Sequence, residues 1–141
     1  MDDQKDFRII YFAWIVNLVA FCGSMFYSNV LEYPPCTLCW YQRICIFPMS
    51  ILLAMGFLRK DRNVIYYTLP LAIVGWIISL YHNLLYFKII PEAIKACTSG
   101  VSCTSKQVEY LGFVTIPLMA LTSLTITIAC LIYFSKKQRN N

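Results

Sequence analysis

Two cysteines carry the chemistry most easily read from this chain. Cys36 and Cys39 stand two residues apart in Pro34-Pro35-Cys36-Thr37-Leu38-Cys39-Trp40-Tyr41-Gln42-Arg43. Thiols at that spacing can close a small, strained and readily reduced disulfide. The stretch lies where one apolar span ends and the next begins, so Cys39 is expected at the N-terminal end of a helix. The helix dipole there favours a thiolate. Arg43, four residues on, shares a helix face with Cys39 and can hold negative charge beside it. A second pair, Cys97 and Cys103, lies in the longest link of the chain, with Gly100 between them to supply a turn. A thiolate that attacks a disulfide leaves a mixed disulfide for another thiol to resolve, so two neighbouring pairs can form a relay.

Three readings of these four cysteines stand side by side. Static disulfides account well for Cys97–Cys103 and poorly for Cys36–Cys39, because so short a loop constrains little chain. A four-cysteine zinc site has suitable spacing, but no histidine lies in either loop and an outer compartment oxidises thiols. Exchange-active pairs, with no metal, are the favoured reading. Cys22, Cys45 and Cys130 fall inside apolar spans, where cysteine packs as a small apolar residue.

The elements that must position these groups are membrane spans. Of the 141 residues, 59% are hydrophobic and 13% charged. A soluble domain of this size carries far more charge on its surface. The apolar segments are Ile9–Ser28, Trp40–Leu58, Tyr66–Phe87 and Leu111–Phe134. Each is close to the roughly 20 residues that cross a bilayer. The sequence therefore predicts an all-α membrane protein, one integral domain over residues 1–141. Its architecture is a four-transmembrane-helix bundle with two short outward-facing cysteine loops. Span one is too long for a signal-peptide core and is expected to be retained.

The net charge of +5 does not point to nucleic acid. Eight of the 12 basic residues are Lys5, Arg8, Arg59, Lys60, Arg62, Lys136, Lys137 and Arg139, all on one side of the predicted spans. That bias places both termini and the link between spans two and three in the cytoplasm. Asn29–Cys39 and Lys88–Tyr110 then face outward. Tyr11 and Trp14 mark the inner interface and Tyr27 the outer. Asn17 and Gly23-Ser24 read as helix-contact positions.

Arg43 is needed to make span two long enough, because Ile44–Leu58 alone is short for a crossing. Snorkelling to headgroups is the plain account of its charge; a bound polar ligand beside Cys39 is the sharper one. His82, the one histidine, lies near the outer end of span three and suits proton handling or ligand contact. Pro48 is expected to kink span two. Ile90, Ala93, Ile94 and Cys97 follow helical spacing after Pro91, as a short interfacial helix would. A lipid-soluble two-electron carrier, a quinone, is the acceptor that fits a relay at the bilayer.

The residues Pro35-Cys36-Thr37-Leu38-Cys39-Trp40-Tyr41-Gln42-Arg43 resemble the P-C-x-L-C-x-x-Q/E-R signature of the disulfide bond formation protein B family (DsbB). The short second pair, with five residues between its cysteines, resembles the Gram-positive-type BdbC branch. The resemblance covers nearly the whole chain. It implies a bacterial plasma-membrane oxidase with four helices and cytoplasmic termini. Such an enzyme re-oxidises an extracytoplasmic thioredoxin-fold thiol oxidase of the DsbA/BdbD kind and reduces a quinone, menaquinone or ubiquinone. It implies disulfides Cys36–Cys39 and Cys97–Cys103, with Cys97 attacked by the partner and Cys103 exchanging with Cys36. Cys39, Gln42, Arg43 and His82 would lie at the quinone. The competing readings are a vitamin K epoxide reductase-like quinone reductase, whose CxxC falls late in the chain, and a non-catalytic membrane scaffold with structural disulfides.

Overall fold

The computed structural model describes residues 2–30, 32, 36–87, 89 and 116–140. Four helices follow one another: α1 (Asp2–Asn29), α2 (Thr37–Arg59), α3 (Val64–Tyr86) and α4 (Ile116–Asn140). No strand occurs among the described residues. The Cys97/Cys103 pair, Pro34-Pro35 and the expected interfacial helix lie outside the described residues. All four helices are long and apolar enough to cross a bilayer, over Phe7–Asn29, Thr37–Arg59, Val64–Tyr86 and Leu118–Asn140. The chain is a multi-pass membrane protein. Each helix agrees with a span expected from the sequence, although α2 starts three residues earlier, at Thr37 rather than Trp40. Pro48 and Pro70 sit inside α2 and α3, and each helix runs on as one element through its proline.

The helices pack as a ring in chain order, with α1 against α2 and α4, and α3 against α2 and α4. Helices of this apolarity cannot be sorted by a water-facing stripe. Large side chains such as Val19, Ile51, Leu58 and Tyr66 point outward, as they do in proteins solvated by lipid. The central core is Ile10, Met49, Leu53, Val64, Ala72, Leu124 and Leu131, with Phe7 and Phe134 closing one end edge to face at 5.6 Å. Tyr11 stacks near Phe57 at that same end, 5.0 Å between ring centres. The basic link of residues 60–63 and the basic C-terminus of α4 therefore gather at one end of the bundle, and Cys36 and His82 at the other.

Several polar groups inside the bundle find partners there. Asn17 is buried, and its amide donates to the Ile46 carbonyl at 3.1 Å and to Ser50 Oγ at 2.6 Å, tying α1 to α2. Thr68 and Thr127 donate back to their own helices. Helix α2 ends on Lys60 in the left-handed region (φ 51°), whose N–H turns back to the carbonyls of Gly56 and Phe57. The tight turn brings α3 directly against α2: a Cβ on Gly56 would lie 2.4 Å from Val64 Cγ2 and 2.8 Å from its Cβ. Gly23 has nothing within 4 Å of that position. Gly56→Ala is therefore expected to destabilise the bundle by about 1–3 kcal/mol, and Gly23→Ala to leave it unchanged. Thermal unfolding of both variants in detergent measures the contrast.

Candidate functional site

Cys36 is the N-cap of α2. Its backbone is extended (φ −70°, ψ 167°), and its Sγ accepts the Cys39 N–H at 3.4 Å. A capping side chain normally offers oxygen to this orphan donor; here sulfur takes the place. One helical turn then carries Cys39 Sγ to 2.8 Å from Cys36 Sγ. Both cysteines stand as free thiols, at a separation from which a disulfide needs little backbone movement.

The third group comes from α3. His82 is buried, and its Nε2 lies 3.7 Å from Cys36 Sγ. Its other ring nitrogen, Nδ1, is 3.1 Å from the Gln42 side-chain amide nitrogen. With the Gln42 N–H donating to Nδ1, the ring proton is on Nε2 and points at the Cys36 sulfur. Leu38, Leu85, Ile78 and Tyr81 pack round the cluster. Cys36 thus receives donors from Cys39 and His82 together. The Cys39 donor is the larger influence, and with His82 it outweighs burial to hold the Cys36 thiol down to about 4 from its ordinary 9.0. The sequence placed the helix-favoured thiolate at Cys39. Here the lowered thiol is Cys36, held down chiefly by the Cys39 donor and then by His82.

For Arg43 the structure removes the plain alternative, snorkelling, because its side chain turns into the bundle. It is 8% exposed, with Nε donating to Ser24 Oγ and Nη2 to the Ser24 carbonyl, both at 2.8 Å. Its guanidinium carbon also lies 5.6 Å from the centre of the Trp40 ring. The charge sits within electrostatic reach of both sulfurs. Ser24 was read from the sequence only as a small contact residue. Depth along the bundle was the available signal: Ser24 lies about as far from the end of α1 as Arg43 does from the start of α2.

Beside Arg43 opens a cavity of about 370 Å³ between α1, α2 and α4. Cys39, Gln42 and Arg43 form its α2 wall, with Ser24, Tyr27 and Ser28 on α1 and Thr122 and Ser123 on α4. Ile15, Val19, Ile46 and Ile126 make its deeper part apolar. Helix α3 contributes nothing to the lining, so His82 touches Cys36 and Gln42 and does not border the cavity. The expected quinone-side residues are thereby divided: Cys39, Gln42 and Arg43 line one space, and His82 stands behind the sulfur pair. The slot has hydrogen-bond donors at one end and apolar walls beyond. Of the cysteines within the spans, Cys45 is buried, Cys130 half-buried and Cys22 exposed. A Cβ on Gly75 would come to 3.1 Å from Cys45 Cβ, so Cys45 is a packing residue at the α2–α3 contact.

The chain matches the family described as "Disulfide bond formation protein DsbB" over residues 7–134. Curated relatives agree. The "Disulfide bond formation protein C" of Bacillus subtilis is 38% identical over 92% of this chain and 95% of its own length. The "Probable disulfide formation protein C" of Halalkalibacterium halodurans is 40% identical over 84% and 86%. A "Probable disulfide formation protein" of Coxiella burnetii is 40% identical over 83% and 80%. No solved structure matches the chain.

The donor arrangement sets a pH profile. In the reduced protein, alkylation of Cys36 by iodoacetamide is expected to be on its plateau at neutral pH and to fall as pH drops through about 4. An ordinary thiol would still be climbing towards 9.0. Substituting His82→Ala should move the midpoint up. Mass spectrometry of the Cys36 peptide across pH reads both results.

Proposed function

The chain belongs to the disulfide bond formation protein DsbB family, and we propose that it re-oxidises an extracytoplasmic thioredoxin-fold thiol oxidase and delivers the electrons to membrane quinone. It is a membrane disulfide oxidoreductase by that membership, which sets aside the vitamin K epoxide reductase-like and scaffold alternatives. The observation that carries the finer reading is the position of Cys39. Its sulfur is in contact with Cys36 on one side and borders, with Arg43 and Gln42, an apolar-walled cavity on the other.

Residue roles follow from that position. A thiolate of the partner attacks Cys97, and the partner's second thiol resolves the mixed disulfide, leaving Cys97 and Cys103 as thiols. Cys103 then attacks Cys36, forming a Cys103–Cys36 bond and breaking Cys36–Cys39, so that Cys39 leaves as a thiolate. Arg43, fixed by Ser24 and Trp40, keeps positive charge near that thiolate. Attack of Cys97 on Cys103 restores the outer disulfide and frees Cys36, whose sulfur returns to the Cys39 and His82 donors. Quinone, when bound, supplies the acceptor for the two electrons and two protons that must leave the Cys36/Cys39 dithiol. Arg43, the Gln42 amide and the Ser24 hydroxyl would hold its oxygens, and the apolar wall its tail.

Orientation follows the charge bias: the Cys36 end faces outward from a bacterial plasma membrane, and both termini are cytoplasmic.

The test is purified protein with a reduced thioredoxin-fold partner and a quinone, followed by quinone absorbance. Turnover is expected, and Cys36→Ser or Cys39→Ser should abolish it; turnover surviving either change overturns the relay. A partner lacking its second cysteine should accumulate a partner–Cys97 mixed disulfide on non-reducing gels, because its one thiolate can open the Cys97–Cys103 bond and nothing on the partner resolves the product. Arg43→Ala should raise the apparent KM for quinone by about tenfold to a hundredfold, with an unchanged helical circular dichroism spectrum.

A further inference from the structure

We propose that the reduced Cys36/Cys39 pair, together with His82, forms a three-ligand site for a thiophilic divalent cation such as Zn²⁺. No histidine lies in either cysteine loop, yet α3 brings one to the pair. Cys36 Sγ, Cys39 Sγ and the His82 ring nitrogen all lie within 4.8 Å of one another. A CxxC at a helix start plus one imidazole is a donor set suited to zinc, cadmium or cobalt.

The distances are near those the metal needs. Zinc–sulfur bonds of about 2.3 Å and zinc–nitrogen bonds of about 2.0–2.1 Å in a tetrahedron put sulfur and nitrogen about 3.6 Å apart. Cys36 Sγ and His82 Nε2 already stand at 3.7 Å. Two sulfurs on one zinc lie about 3.8 Å apart, so the 2.8 Å sulfur contact opens by about 1 Å. Rotation of Cys39 towards the adjoining cavity provides that movement. A supporting shell is also present. Metal on Nε2 requires the ring proton on Nδ1, and Gln42 lies 3.1 Å from Nδ1. Turning the Gln42 amide over presents its oxygen as the acceptor for that proton. The same glutamine thus supports either a proton or a metal at Nε2. Each sulfur binds as a thiolate, any remaining thiol proton is released, and no electron moves.

The site exists only in the dithiol form, since a Cys36–Cys39 disulfide offers no thiolate. Its place in the cycle rests on the pair passing through a dithiol, as the proposed function requires. A cation held there prevents the disulfide from re-forming until it departs, so the enzyme is captured in its reduced state.

Co²⁺ is the probe, on the full chain carrying Cys97→Ser and Cys103→Ser so that the loop pair is silent. After reduction, one Co²⁺ per chain is expected, with thiolate-to-cobalt charge-transfer absorption and the visible bands of tetrahedral coordination. Zn²⁺ should displace it. The oxidised protein should give neither band. His82→Ala should weaken binding at least tenfold and alter the visible bands, and His82→Gln, which keeps a polar side chain in place, should do the same. Equal binding by the oxidised protein overturns the site, as do unchanged spectra and affinity in both His82 variants while helical circular dichroism is native. Quinone turnover by the unsubstituted protein, assayed without metal, separates the two ideas: turnover with no Co²⁺ site rejects only the cation, and a Co²⁺ site with no turnover rejects only the quinone relay.

Discussion

A guanidinium inside a bilayer has no water to fall back on, and that constraint shapes the working end of this protein. Arg43 carries its charge on the second turn of α2, where it is buried in the bundle. Its partners are therefore built in: the hydroxyl and carbonyl of Ser24 from α1, and the face of Trp40 from its own helix. Those contacts fix how α1 and α2 meet at this end. They also leave the space between α1, α2 and α4 lined by the cation on one wall and by aliphatic side chains deeper in. A lysine here would keep the charge but not the paired donors to one serine.

The sulfur pair stands between two unlike surroundings. Behind Cys36 is a dry cluster in which His82 and Gln42 form a short chain of polar atoms, closed by Leu38 and Leu85. In front of Cys39 is the cavity with Arg43. The two cysteines have only two residues between them, but α2 gives them different surroundings: one sulfur is met by hydrogen-bond donors and the other borders the cavity. That division suits the relay proposed for the pair.

Much of this was legible before any coordinates. Apolar segments of bilayer length, separated by basic or cysteine-bearing links, specify four spans and their order, because lipid leaves the backbone few alternatives to helix. The CxxC and its arginine specify the chemistry. What could not be read is lateral. The spacing that puts Arg43 on the face of Cys39 does not say which neighbouring helix that face meets, so Ser24 passed as a packing residue. His82 was visible as an ionisable group in a span, but its side of the bundle depends on how α3 is rotated, and its apolar sequence carries no strong stripe to fix that. The start of α2 was set late because Cys36 and Thr37 are not apolar, whereas the cap that begins the helix is a hydrogen bond to sulfur.

That cap ties the secondary structure to the redox chemistry. An oxygen cap takes no part in covalent exchange, but the capping atom of Cys36 is the one whose covalent partner changes. An oxygen N-cap is worth about 1 kcal/mol and sulfur is a weaker acceptor, so the opening turn of α2 has a smaller support, one that is stronger when Cys36 is a thiolate than when it is in a disulfide. The backbone thereby acts as a spring on the sulfur: it favours whichever covalent state returns Cys36 to the helix end, and it does so without any further residue being recruited.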